Sequence, residues 1–241
     1  MEPRFGLVVV AVDEYAELPA LPSTTTARRL ADLLRPYGAA LVGPPEPTTA
    51  PAVREFLGAW STSEEGPASS LVYWVGHGES DGAKQWLLTS ASRRRYKTAD
   101  SLPASELAET LMARWDSRVQ AEGSAWTVVV LDCCNAEVGI SNIMNELTAN
   151  PDREPDRLAI YRVASGASTV GRFVEELDAA LAARTENDDT IPLHSLLREV
   201  SRRLGEGLKP IDWLPYDAAL VNPHRTETVV TMNVDLLDDW R

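Results

Sequence analysis

Two short apolar runs, each ending in a reactive side chain, limit what this chain can fold into more than any other feature. Thr127–Cys134 reads Thr-Val-Val-Val-Leu-Asp-Cys-Cys. A run that short, rich in β-branched residues and without polar alternation, is a strand buried on both faces, as in a parallel sheet. It ends at its first polar residue, Asp132. Cys133 and Cys134 then fall at the carboxyl edge of the sheet, where open α/β proteins collect their ligands. Ser70–Val75, Ser-Leu-Val-Tyr-Trp-Val, runs into Gly76-His77-Gly78 in the same way. Parallel strands finish on a common edge, so His77 and Cys134 are expected there together.

A thiol becomes a nucleophile when a nearby base or cation favours the thiolate. Glycines on both sides of His77 let the backbone approach closely and leave the imidazole open. Backbone N–H groups just past a strand end are free of the ladder. Those of Gly78 and Cys134 are the candidate oxyanion donors. Taken singly, a cysteine at a strand end or a histidine beside glycine is more often a packing residue. The joint pattern favours chemistry. Cys133 is expected to pack in the core. Two adjacent thiols and one distant histidine lack the spacing of a metal site. His194 and His224 follow no buried strand and read as structural.

The rest of the chain alternates strands with helices. Strands are expected at Phe5–Val12, Ala39–Val42, Gln85–Thr89 and Leu158–Ala164. Helices are expected at Thr25–Leu34, Ala52–Trp60, Ser105–Ala121, Arg172–Ala183 and Pro192–Leu204, with Ser23 or Thr24 capping the first. Edge strands are expected within Trp213–Val221 and Thr226–Val234. Asn135–Leu147 reads as either a helix or a partly ordered loop, and Thr148–Arg157 as exposed loop. This alternation points to a mainly parallel sheet with helices on both faces, in one domain spanning 1–241.

A net charge of −13 and a pI near 4.7 argue against a nucleic-acid binder, which needs a basic face. The only two cysteines are neighbours, so a disulfide framework is not expected and a reducing compartment is. Met1–Gly6 shows none of the regions of a signal peptide, and no apolar run is long enough to span a membrane. A cytoplasmic protein without membrane association is expected. No Gly-x-Gly-x-x-Gly or P-loop follows any strand, which argues against a nucleotide-binding protein.

The chain resembles the caspase-like cysteine peptidases of the C14 type, and among them the bacterial caspase homologs and metacaspases. The residues that carry the resemblance are Val10-Ala11-Val12-Asp13-Glu14-Tyr15 with Leu18-Pro19-Ala20-Leu21-Pro22, then Tyr73-Trp74-Val75-Gly76-His77-Gly78, then Val130-Leu131-Asp132-Cys133-Cys134. Gly171-Arg172-Phe173 and Leu220-Val221-Asn222-Pro223 are weaker echoes. The resemblance implies a three-layer α/β/α sandwich around a roughly six-stranded sheet. It implies Cys134 as nucleophile, His77 as general base and acid, and the Gly78 and Cys134 amides as oxyanion donors. Asp132 matches a position lining the first specificity pocket of metacaspase-like enzymes, where a carboxylate suits Arg or Lys before the cleaved bond. A strand-end carboxylate that bonds backbone amides is its other reading. Ser165 and Gly166 match the region that pairs with substrate as an added strand.

The segment 136–157 corresponds to the linker that caspases cut on activation, which makes Arg153 and Arg157 candidate autoprocessing sites. Relatives of this kind act on polypeptides without a cofactor, and often work in stress or anti-phage defence beside sensor proteins. An activating sensor partner is therefore expected. The sequence does not decide a calcium requirement. Three positions depart from the family pattern. Thr26 stands where a second acid is usual, the animal Gln-Ala-Cys-x-Gly signature is absent, and Asn135-Ala136 follow the nucleophile where Ser-Gly is common. A catalytically silent caspase-like scaffold is the competing expectation.

Overall fold

The computed structural model describes residues 2–43, 48–93, 100–120, 122–149, 156–163, 170–184, 189–205 and 211–224. Strand β1 (Phe5–Ala11) leads through a long loop to helix α1 (Ser23–Leu34) and strand β2 (Ala39–Val42). Helix α2 (Ala50–Thr62) and strand β3 (Ser70–Val75) follow. Three short strands, β4 (Gly78–Ser80), β5 (Gln85–Leu88) and β6 (Ser101–Pro103), form a small antiparallel sheet of their own. Helix α3 (Glu106–Arg114) precedes strand β7 (Thr127–Asp132), helix α4 (Ala136–Leu147) and strand β8 (Leu158–Arg162). Helix α5 (Arg172–Ala182), strand β9 (Thr190–Pro192), helix α6 (Leu193–Arg203) and strands β10 (Ile211–Asp212) and β11 (Ala219–Val221) complete the described chain.

The central sheet has the order β10-β8-β7-β3-β1-β2. Every pairing in it is parallel except that of the two-residue β10 with β8. Side chains on its strands alternate between two cores. Leu7, Val9, Leu71, Tyr73, Val128 and Val130 face one core, which α1, α5 and α6 close with Leu30, Phe173, Leu177 and Leu197. Val8, Val10, Val72, Trp74, Val129 and Leu131 face the other, closed by Val53, Leu57, Leu107, Ile140 and Ile143 of α2, α3 and α4. The layers are helix, sheet, helix, as the alternating pattern predicts. Among the described residues no helix is long and apolar enough to cross a membrane.

The register decides where the chemistry lies. Ala11 pairs with Val75, and Val75 with Asp132. Strands β1, β3 and β7 thus end level, and the chain beyond each emerges on the same edge.

Several boundaries differ from the sequence expectation. Segment 136–147, expected as the first part of a processing loop, is helix α4, because Ala136, Ile140, Ile143 and Leu147 bury one face against the second core. Helix α1 begins at Ser23 rather than at Thr25. Neither Ser23 nor Thr24 caps it; the Thr24 N–H donates to Asp13 Oδ1 at 2.6 Å, so a carboxylate beyond β1 does so from outside the helix. The expected helix over Ser105–Ala121 is α3 followed by one π turn, Trp115–Val119. The edge strand expected in Trp213–Val221 divides into β10 and β11, and 226–234 lies outside the described residues.

Arg114, at the end of α3, is 1% exposed and faces no carboxylate in its bonds. Its Nη1 donates to the Trp60 and Ser63 carbonyls at 3.3 and 2.9 Å, and its Nη2 to those of Pro67 and Ala68 at 2.7 and 3.4 Å. The guanidinium also lies 5.4 Å from the centre of the Trp60 ring. One buried cation thereby serves four carbonyls between the end of α2 and the start of β3.

Candidate functional site

Past the end of β3, the chain turns at Gly76 and places His77 half-buried at the sheet edge. Two groups from the loop after β1 hold it. The His77 N–H donates to the Tyr15 hydroxyl at 2.8 Å, and that hydroxyl donates to the Val12 carbonyl at 3.1 Å. The Tyr15 and His77 ring centres are 4.7 Å apart at 60°. Burial raises the Tyr15 phenol well above its ordinary value, so it stays a neutral donor. His77 Nε2 lies 2.9 Å from the Pro19 carbonyl oxygen. A carbonyl only accepts, so Nε2 carries the proton and Nδ1 is the unprotonated nitrogen of the neutral ring. The Pro19 loop is itself pinned, with Leu21 N–H on the Asp13 carbonyl at 2.9 Å and Ala16 N–H on the Ser90 carbonyl at 3.1 Å.

Cys134 lies the same distance beyond β7 as His77 lies beyond β3, counted from the Val75–Asp132 pair. Its thiol is half-buried, whereas Cys133 is fully buried. Alternation explains the difference: Cys133 continues the Val129–Leu131 face into the second core. Burial, with Asp132 next to it, pushes the Cys133 thiol well above the ordinary range and keeps it protonated. Asn135, immediately after Cys134, is left-handed at φ 60° and ψ 25°. That turn swings the chain from strand into α4 and leaves Cys134 at its apex. A left-handed non-glycine residue costs on the order of 1 kcal/mol, and asparagine tolerates it best. No hydrogen bond joins His77 to Cys134 among the described residues. Such bonds often tighten only when substrate arrives.

Gly78 connects the two halves. The Leu88 N–H donates to the His77 carbonyl at 3.1 Å, which makes Gly78 and Leu87 a pair without mutual hydrogen bonds. The Gly78 N–H therefore points away from the β4–β5 hairpin. A Cβ at Gly78 would lie 2.5 Å from the Cys134 carbonyl oxygen and 2.9 Å from Gln85 Nε2. Only glycine lets these backbones approach so closely. Gly78→Ala is expected to displace the Cys134 peptide, and, if the site is catalytic, to lower its turnover about 100-fold. It should also destabilise the fold by about 2 kcal/mol. Initial rates and thermal unfolding of the variant check both, and an unchanged rate would show that this contact does not set the site.

The other expected site residues are spread more widely. Asp132 is 1% exposed, and its Oδ2 accepts the Tyr73 hydroxyl at 2.7 Å. Tyr73 is held well above its ordinary value by burial and by that carboxylate. Ser165, Gly166 and Arg153 lie outside the described residues. Arg157 is described, at φ 59°. Its N–H donates to the Trp213 carbonyl and its carbonyl accepts the Thr127 N–H, both at 2.9 Å. Trp74 packs in the second core and Trp213 against it. His194 Nδ1 pairs with Asp212 at 2.6 Å, which ties α6 to β10. Thr26 donates to the Pro22 carbonyl at 3.0 Å.

Three residues of this edge had no role in the sequence expectation: Asp13, Tyr15 and Gln85. Asp13 and Tyr15 follow directly on β1, the neighbour of β3, and that adjacency was the available signal. Gln85 stands at the head of an otherwise apolar strand, Gln-Trp-Leu-Leu, and is fully buried there. A buried amide at such a position must bond something.

No family model matches the chain, and no curated protein matches it. Among solved structures it is similar to the crystal structure of the Drosophila initiator caspase Dronc. The TM-score is 0.63 at 11% sequence identity, with 90% of this chain and 82% of that chain covered. The fold is caspase-like.

Proposed function

We propose that the protein is a cysteine endopeptidase that cleaves polypeptides with Cys134 as nucleophile and His77 as general base and acid. The observation that carries this reading is the His77 geometry. The Pro19 carbonyl accepts a hydrogen bond from Nε2–H and leaves Nδ1 as the base, on the edge to which β7 delivers Cys134. Nδ1 accepts the thiol proton as Sγ bonds to the carbonyl carbon of the scissile peptide. The carbonyl oxygen takes the negative charge and is met by the Gly78 and Cys134 N–H groups. His77 then gives its proton to the leaving amine as the C–N bond breaks. A water molecule, deprotonated by His77, hydrolyses the thioester and frees Sγ. The fold likeness supports a polypeptide substrate, and the half-exposed Cys134 beside an inert Cys133 supports the assignment of the nucleophile.

The proposed preference for Arg or Lys before the cleaved bond rests on the family position of Asp132 and requires the site to open to a carboxylate that is 1% exposed and bonded to Tyr73. The proposed setting is a cytoplasmic bacterial defence effector, switched on by a sensor partner. A peptide-library cleavage profile of wild type and Cys134→Ala tests activity and preference together. Turnover in neither protein would favour the scaffold reading, and equal turnover in both would remove Cys134 as the nucleophile.

Arg153 and Arg157 are the proposed autoprocessing sites. Arg157 uses both its peptide groups in hydrogen bonds, so cleavage after it requires local opening first. Under activating conditions, mass spectrometry is expected to find two fragments that divide at one of these arginines. An intact chain would contradict this.

A further inference from the structure

We infer that Gln85 is a positioning residue for the Cys134 nucleophile, an inference that rests on the peptidase reading. Gln85 is 0% exposed at the head of β5. Its Nε2 donates to the Cys134 carbonyl oxygen at 2.7 Å and reaches Cys133 Sγ at 3.4 Å. The backbone beneath it is fixed on both sides. Its N–H donates to Asn142 Oδ1 at 2.9 Å, and its carbonyl accepts the Ala104 N–H at 2.9 Å. Asn142 also donates to the Ala83 carbonyl at 2.8 Å, so α4 clamps the turn that presents Gln85.

The other end of the amide explains why the residue is informative. Among the described residues Gln85 Oε1 is buried without a hydrogen-bond partner. A buried amide oxygen left unpaired weakens a fold, and an apolar side chain of the same shape would avoid the loss. What the site gains from Gln85 is therefore its Nε2. The bond holds the plane of the Cys134–Asn135 peptide at the point where the chain turns left-handed into α4. The held carbonyl sits between Gln85 and Gly78, so one amide couples the nucleophile's peptide to the hairpin that begins at Gly78. Gly139 leaves room for this arrangement. A Cβ there would collide with Gln85 Oε1 and come within 3.0 Å of Cδ.

Gln85→Glu keeps the shape and changes the proton inventory. Ionised, the introduced carboxylate sets an acceptor against the Cys134 carbonyl. Protonated, it donates as the amide did. At pH 8 the variant is expected to lose on the order of 10- to 100-fold in kcat with little change in KM. The variant-to-wild-type ratio should climb toward one as pH falls, because burial favours the protonated carboxyl. Gly139→Ala, which evicts the amide, should show a similar kcat loss with a ratio that does not change with pH. A flat ratio for Gln85→Glu, or wild-type kcat, overturns the inference.

Iodoacetamide labelling of Cys134, read by intact mass over the same pH series, separates the two readings. Wild type without turnover would count against the peptidase. The labelling ratio still reports on Gln85, and equal labelling of wild type and Gln85→Glu at every pH would overturn its role.

Discussion

Cys134→Ala is expected to lower kcat/KM for any cleaved peptide by at least about 10³-fold, and His77→Ala by a similar factor. A loss of that size is about 4 kcal/mol of transition-state stabilisation. In the proposed mechanism alanine at 134 removes the atom that forms the thioester, and the buried Cys133 does not take its place. That thiol is fully buried in the second core, and its surroundings hold it protonated. Alanine at 77 removes the proposed base for the Sγ proton and the proposed acid for the leaving amine. Because the two side chains act as one unit, the double variant should be no slower than either single one. Steady-state rates on a peptide from the library profile, with thermal unfolding to confirm folding, give the comparison. Equal rates in Cys134→Ala and wild type would remove Cys134 from the chemistry. Multiplicative losses would show that the two residues act in separate steps.

The second large effect concerns stability. Arg114→Ala is expected to destabilise the protein by about 3–5 kcal/mol, because four carbonyls lose a buried cationic donor at once. For a chain of this size that corresponds to a fall in Tm of about 10 °C. Arg114→Lys should recover less than half. A lysine carries its donors on one nitrogen and cannot span carbonyls from Trp60 to Ala68 as a planar guanidinium does. Urea denaturation of the three proteins checks the order. A loss below about 1 kcal/mol for Arg114→Ala would mean that water replaces the donor readily. The consequence for the site is indirect: the segment that Arg114 holds feeds directly into β3, which carries His77.

The buried strands were legible because their physics is local. The apolar side chains of Thr127–Asp132 and Ser70–Val75 have nowhere to hide except between two helical layers. Parallel pairing then dictates which edge receives His77 and Cys134. Helix α4 was ambiguous because Asn135 suits a helix cap and a loop turn equally, and the start of the helix is a left-handed turn without a side-chain cap. Asp13 as a cap and Arg114 as a carbonyl clamp could not be read, since each acts on residues remote in sequence. The Pro19 carbonyl was out of reach for the same reason. A backbone acceptor has no residue signature, and its use depends on how Asp13 and Tyr15 fold the loop.

In the proposed peptidase His77 and Cys134 form one catalytic unit at the carboxyl edge of the sheet. Intact-mass analysis of wild type and His77→Ala after incubation with a peptidyl fluoromethyl ketone tests it most directly. The account predicts a single adduct on Cys134 in wild type, none on Cys133, and little or none in His77→Ala over the same time. Equal labelling of the two proteins, or an adduct elsewhere in the chain, would contradict it.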